Sequence, residues 1–230
     1  MKFFLVSLLF ISYLFADDMY KKGKQLYQKT CISCHGVDGN ADVTIQLIVR
    51  PRSLKKSILT EQQSYEIIKH GAHYWGANAD VMPPFESLYT EYELKSLAFY
   101  IKKEFNPNIK EKIDKLYSAS NPIQKEKRTQ MMQRGKKVFQ RNCSWCHGHD
   151  ARGNGETTKN PKQAIYPYNL RKTLLTDKQM FLYAKYGGKY WGTYKDDMPS
   201  WKRKYDDFTL KSVIFYIEET FRKENNKISL

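Results

Sequence analysis

Cys31-Ile32-Ser33-Cys34-His35 and Cys143-Ser144-Trp145-Cys146-His147 contain every cysteine of the chain, and the second stretch follows the first by 112 residues. Two thiols three positions apart can each add to one vinyl group of a porphyrin. The histidine beside the second thiol is then held under the iron, where imidazole is a strong axial ligand. Cys-x-x-Cys-His is the attachment sequence of c-type haem. Cys31, Cys34, His35 and Cys143, Cys146, His147 are therefore candidate binding residues for two covalently bound haem c groups.

Other uses of four cysteines fit less well. A disulfide framework suits an exported chain but gives no reason for a histidine after each pair. A zinc site would have to join two pairs far beyond zinc-ribbon spacing. A thioredoxin-like redox pair needs a βαβ pattern that this chain lacks.

Working outward from the motifs, the chain repeats itself. Gly23 and Lys24-Gln25-Leu26-Tyr27-Gln28 match Gly135 and Lys136-Lys137-Val138-Phe139-Gln140 at an offset of 112. Beyond the motifs the offset becomes 116. Pro51-Arg52-Ser53-Leu54 then matches Pro167-Tyr168-Asn169-Leu170, Tyr74-Trp75-Gly76 matches Tyr190-Trp191-Gly192, and Met82-Pro83 matches Met198-Pro199. The four additional residues of the second copy fall in a loop between Gly153 and Pro161, where length is tolerated. Two long copies predict a tandem domain pair rather than a solenoid. The expected divisions are a leader over 1–16, a first domain over 17–105, a linker over 106–126 and a second domain over 127–230. Ile109, Ile113, Leu116 and Tyr117 give the linker helical apolar spacing, so it reads as a short amphipathic helix against one domain.

Each copy predicts about three main helices. The first precedes the cysteine motif. The second starts at Thr60 or Thr176, where Thr-x-x-Gln makes a capping box, and stops at Gly71 or Gly187. The third starts at Thr90-x-x-Glu93 and carries Leu94, Leu97, Ala98, Ile101 and Phe105 on one face. Strand signals are weak, and the expected class is all-α.

The repeat also filters candidates for the second axial position. His70 and His73 become Tyr186 and Lys189 in the second copy, and His149 is too close to His147 to reach across a haem. Met82 and Met198 hold the same place, each followed by proline. A thioether suits haem iron and raises its potential. The metal ligands expected are His35 with Met82 and His147 with Met198. Core packing is the competing use of these methionines, and bis-histidine ligation stays open for the first haem.

With these residues in view, the sequence resembles a tandem of class I c-type cytochrome domains, an arrangement similar to cytochrome c4. The resemblance implies that Gly23 and Gly135 let the first helix cross the last closely, near Phe99 and Phe215. It implies that Pro51 and Pro167 offer a carbonyl to the axial histidine of their copy. Tyr74, Trp75, Tyr190 and Trp191 either wall the haem, with a ring N–H or O–H for a propionate, or form ordinary aromatic core. The charged linker departs from that family pattern and weighs against close contact between haems.

The N-terminus reads as an export leader: Lys2, an apolar run from Phe3 to Phe15, then Ala16 before Asp17-Asp18. The run is too short for a comfortable span, and an uncleaved tether is the alternative. The expected location is the periplasm. The net charge of +15 speeds encounter with acidic redox partners, such as a quinol-oxidising complex, a terminal oxidase or a peroxidase, and suits an anionic membrane surface. Spread lysines and export argue against nucleic acid. The expected role is electron transfer without catalysis. A two-haem peroxidase, a thiosulfate-oxidising cytochrome and a fixed haem subunit of a membrane complex are the alternatives. The sequence leaves the oligomeric state open.

Overall fold

The computed structural model describes residues 15–42, 51–77, 82–118, 128–159, 167–193 and 198–222, and these contain helices and loops but no strand. The expected leader falls on residues 1–16, of which 1–14 lie outside the described residues.

In the first repeat, helix α1 covers residues 15–26. It widens into a π turn over Tyr27–Cys31 and closes with one α turn, Ile32–His35. Helix α2 is Glu61–Tyr74 and helix α3 is Glu91–Phe105. Both expected capping boxes form: Thr60 with Gln63, and Thr90 with Glu93. Gly71 sits at φ 77° inside α2 and breaks its regular backbone, as a glycine at a helix end does.

Helix α4, Ile109–Ser118, is the predicted linker helix. The second repeat then restates the first. Helix α5, Arg128–Val138, runs through a π turn over Phe139–Cys143 into the turn Ser144–His147. Helix α6, Asp177–Tyr186, is boxed by Thr176 and Gln179 and ends at Gly187. Helix α7, Asp207–Ile217, is capped by Asp206.

The two glycines of the first helices are the crossing points. A Cβ on Gly23 would stand 2.0 Å from the Ser96 carbonyl oxygen, and one on Gly135 would stand 2.1 Å from that of Ser212. No side chain fits there, so backbone meets backbone where α1 crosses α3 and α5 crosses α7. The contacts are at Ser96, Tyr100, Ser212 and Tyr216, three residues before and one residue after Phe99 and Phe215.

Each repeat has its own core. The first gathers Leu26, Tyr27, Tyr65, Ile68, Leu94, Leu97 and Phe105. The second gathers Phe139, Phe181, Leu182, Trp191, Leu210, Val213 and Phe221, and it also takes in Ile58 from the first repeat and Ile109 and Ile113 from α4. The linker helix thus lies against the second domain. Lys112 on its flank rests over the rings of Tyr190 and Trp191, at 5.3 and 5.1 Å.

The repeats meet across a pseudo-two-fold axis. Gln63 Nε2 donates to Leu174 O (2.7 Å) and Gln179 Oε1 (2.8 Å), while Gln179 Nε2 donates to Ile58 O (2.8 Å) and Gln63 Oε1 (2.7 Å). Ile58 and Leu174 are repeat equivalents, as are the two glutamines. The same exchange occurs in the main chain. Ser53 N–H donates to Gly192 O (2.9 Å), and its equivalent Asn169 N–H donates to Gly76 O (2.7 Å). Gly76 and Gly192 sit at φ 97° and 93°, and a Cβ on either would press within 3 Å of the other repeat's backbone. The charged linker therefore does not hold the domains apart.

Candidate haem sites

In both repeats the helix before the motif widens by one residue per turn as it reaches the first cysteine. Single π turns of this kind concentrate at functional sites. They place Cys31 and Cys143 at the end of the wide turn. The tighter turn that follows carries Cys34 with His35, and Cys146 with His147. Gly36 and Gly148, at φ 74° and 77°, then turn the chain away. All four thiols are half-buried and none is in a disulfide. Burial pushes Cys31 and Cys143 up to about 12, so each stays a neutral thiol until it is modified. Among the described residues no group of three or more His, Cys, Asp or Glu side chains is placed to hold a metal ion.

Both histidines are half-buried, with the Nδ1 atom of His35 shut off from solvent. Burial lowers the pKa of each, and a main-chain hydrogen-bonding group, that of Arg52 for His35 and of Tyr168 for His147, pulls the other way. A neutral imidazole is the form that ligates metal. His147 Nδ1 lies 3.0 Å from Tyr168 O. With its proton on Nδ1, the ring keeps the Nε2 lone pair for iron. His35 Nδ1 is buried and finds no acceptor in good geometry, although the Arg52 main chain faces it. In the second repeat the carbonyl expected from Pro167 is thus supplied one residue later, by Tyr168, and in the first the main chain that faces the ring is that of Arg52, one residue after Pro51.

Met82 and Met198 pack against the cores of their own repeats, the same cores that the first cysteine of each motif packs against. Their placement comes from the α2 and α6 ends. Ala72 N–H donates to Met82 O (3.0 Å), and the equivalent Gly188 N–H donates to Met198 O (2.8 Å). A Cβ on Gly71 or Gly187 would lie 2.9 Å from that same carbonyl oxygen. Each glycine therefore ends a helix and admits the methionine loop.

The aromatic pairs divide. Trp191 is fully buried, while Tyr74 and Tyr190 are 58 % and 43 % exposed. Trp75 Nε1–H donates to Glu66 O (3.2 Å) and Trp191 Nε1–H to Leu182 O (3.1 Å). The indole N–H groups expected for a propionate are thus bound to helix carbonyls, which fix the rings edge-on to Tyr74 and Tyr190. His70 lies between Glu66 and Glu86, at 3.7 and 3.3 Å, on the surface.

The fit to haem c rests on three features present twice, a thiol pair on adjacent turns, a half-buried histidine faced by the main chain and a glycine-held methionine, with the histidine-to-carbonyl hydrogen bond formed in the second repeat. Fold and site together define an all-α tandem of class I c-type cytochrome domains. Residues 18–101 and 130–217 match the family described as cytochrome C oxidase, cbb3-type, subunit III, and the chain belongs to that family. Its two domains bind two haem c groups, and its class of work is electron transfer.

Two curated relatives are similar to parts of the chain. The Cbb3-type cytochrome c oxidase subunit FixP of Sinorhizobium medicae is 29 % identical over 111 residues, 46 % of this chain and 32 % of the relative. That of Rhizobium meliloti is 30 % identical over 98 residues, 41 % of this chain and 28 % of the relative. The match thus spans about a third of those relatives' length. A solved chain of the Kuenenia stuttgartiensis reducing HAO-like protein complex Kustc0457/Kustc0458 aligns at TM-score 0.46 and 21 % identity, over 86 % of this chain and 94 % of that one.

Proposed function

We propose that this protein passes electrons on the periplasmic side of a respiratory membrane, through two haems ligated by His35 with Met82 and by His147 with Met198. The observation that carries the reading is the duplication of the whole site, down to the glycine that admits each methionine. When bound, haem supplies a one-electron couple, and an axial methionine sets that couple relatively high. The chain does the rest. The thiols would fix the macrocycle, the half-buried histidine would offer a neutral nitrogen and the methionine a thioether, a ligand set that would leave no position for a substrate. This favours transfer over catalysis.

The family favours a terminal oxidase as the acceptor. It also favours work as a haem-bearing arm of a membrane complex over free diffusion. The net charge of +15 suits acidic docking faces and anionic lipid. No described helix is long and apolar enough to cross a membrane. Residues 15–26, which include the expected cleavage point Ala16-Asp17, form one helix tied to α3 by Lys22–Glu93 at 2.8 Å and by Tyr92 with Asp18. Sequencing the N-terminus of the exported protein separates the two placements: a start at Asp17 supports a free carrier, and an intact leader supports the tethered arm.

The ligands are tested by Met198→Ala. The second haem stays covalently attached, its far-red methionine-to-iron band disappears and its potential falls. An unchanged low-spin ferric spectrum would remove Met198 as the ligand.

A further inference from the structure

The pseudo-two-fold interface is broken at one pair. Repeat equivalents Arg52 and Tyr168 share a role in the main chain, each facing the axial histidine of its own repeat, but their side chains differ in kind. Arg52 reaches out of the first repeat into the second. Its guanidinium lies 4.6 Å above the Tyr168 ring, and Nη1 donates to the Tyr183 hydroxyl at 2.9 Å. Nothing returns the contact, because the second repeat has a tyrosine where the first has its arginine, and Ile67 stands where the second has Tyr183.

The consequence falls on Tyr168-Asn169. The Tyr168 ring is covered by Arg52, and the next amide, Asn169 N–H, is bound to Gly76 O of the first repeat at 2.7 Å. Between those two holds lies the Tyr168 carbonyl, 3.0 Å from His147 Nδ1. The first repeat therefore grips, from both sides, the peptide that orients the second axial histidine. The reverse grip is half made: Ser53 N–H reaches Gly192 O at 2.9 Å, and no arginine covers the first repeat's peptide. His35 Nδ1, correspondingly, has no acceptor in good geometry.

We propose that Arg52 of the first domain is a positioning residue for the second haem, holding the Tyr168 carbonyl on His147 so that docking of the domains sets the second potential. The inference rests on the His147/Met198 reading above. A firm Nδ1–H···O=C bond makes imidazole a stronger donor and favours ferric iron. Loosening it raises the potential.

The test is redox titration of the two-haem protein with charge-neutral changes. Tyr183→Phe removes the hydroxyl that anchors the guanidinium and keeps the ring. Arg52→Lys keeps the charge and loses the planar fork. Met198→His assigns the waves, because it moves the second alone. The expected result is a rise of the second potential in both variants with the first in place. Exchange of the His147 Nδ1 proton, followed by NMR, becomes faster. A second wave that stays put, or two waves that move together, overturns the proposal. So does a downward shift seen only in a third variant, Arg52→Gln, which removes the charge and would show that the guanidinium acts through its charge alone. If Met198→His moves neither wave, the ligand assignment falls instead, and the proton-exchange rate still decides the clamp.

Discussion

At the scale of the residue, the site depends on groups that have no side chain to show. Gly187 holds φ 80° and brings α6 against the Met198 carbonyl. An alanine there meets backbone at 2.8–2.9 Å and adds left-handed strain of about 1–2 kcal/mol. Gly187→Ala is expected to push the methionine loop outward. The far-red band should lose about half its intensity with both haems still attached, as read by ferric absorption. The sequence revealed these glycines as helix ends, and it revealed Met82 and Met198 by their repeat. It hid the partners of the histidines, because Arg52 and Tyr168 act through their main chain, and any residue type could supply that carbonyl. The indole N–H groups were hidden for a related reason: their acceptors, Glu66 O and Leu182 O, belong to helices whose turns leave those carbonyls within reach.

At the scale of the element, most of the architecture was readable. The Thr-x-x-Gln and Thr-x-x-Glu boxes set the starts of α2, α3 and α6, and the glycines set two of the ends. The apolar stripe of α3 faces inward as its spacing requires. One member of α3 runs against the pattern. Lys102 is buried on the core side, and burial, partly offset by the Glu61 carboxylate, lowers its pKa from 10.5 to about 8. A base with a depressed folded pKa binds fewer protons folded than unfolded. Its burial costs most below pH 8, and that cost fades as pH rises from about 8 to 10.5. Lys102→Met is expected to stabilise the protein by ~3 kcal/mol at pH 7, with the gain vanishing by about pH 10.5. Urea titrations across that range check it, and a gain independent of pH would contradict it. The equivalent of Lys102 is Glu218, which ion-pairs with Arg222. The same helix position thus carries opposite charge in the two halves.

At the scale of the whole molecule, the two halves behave as partners in a dimer that happens to be one chain. The paired glutamines sit on the axis, with Gln179 almost wholly buried. Gln179→Leu leaves the Gln63 amide and the Ile58 carbonyl short of partners in the interior. A cost of about 1–3 kcal/mol is expected, read as a lower urea midpoint, with Gln63→Leu in the same molecule recovering part of it. A Gln179→Leu protein as stable as the parent would show that the axis is wet. None of this contact was legible, since it joins residues 116 positions apart that each read locally as an ordinary capping glutamine. The long linker argued for separation, and only the placement of α4 shows how its length is used.

That placement is one-directional. Among the described residues, the first core contains nothing beyond Phe105, whereas the second core includes Ile58, Ile109 and Ile113. A chain is released from its N-terminal end, and domains tend to fold in that order. When α5 emerges, Ile58 and α4 already exist, displayed by a domain able to close without them. The second half therefore completes itself on a ready-made surface, while the first never waits for the second, and the order of the repeats along the chain becomes a timetable for assembly.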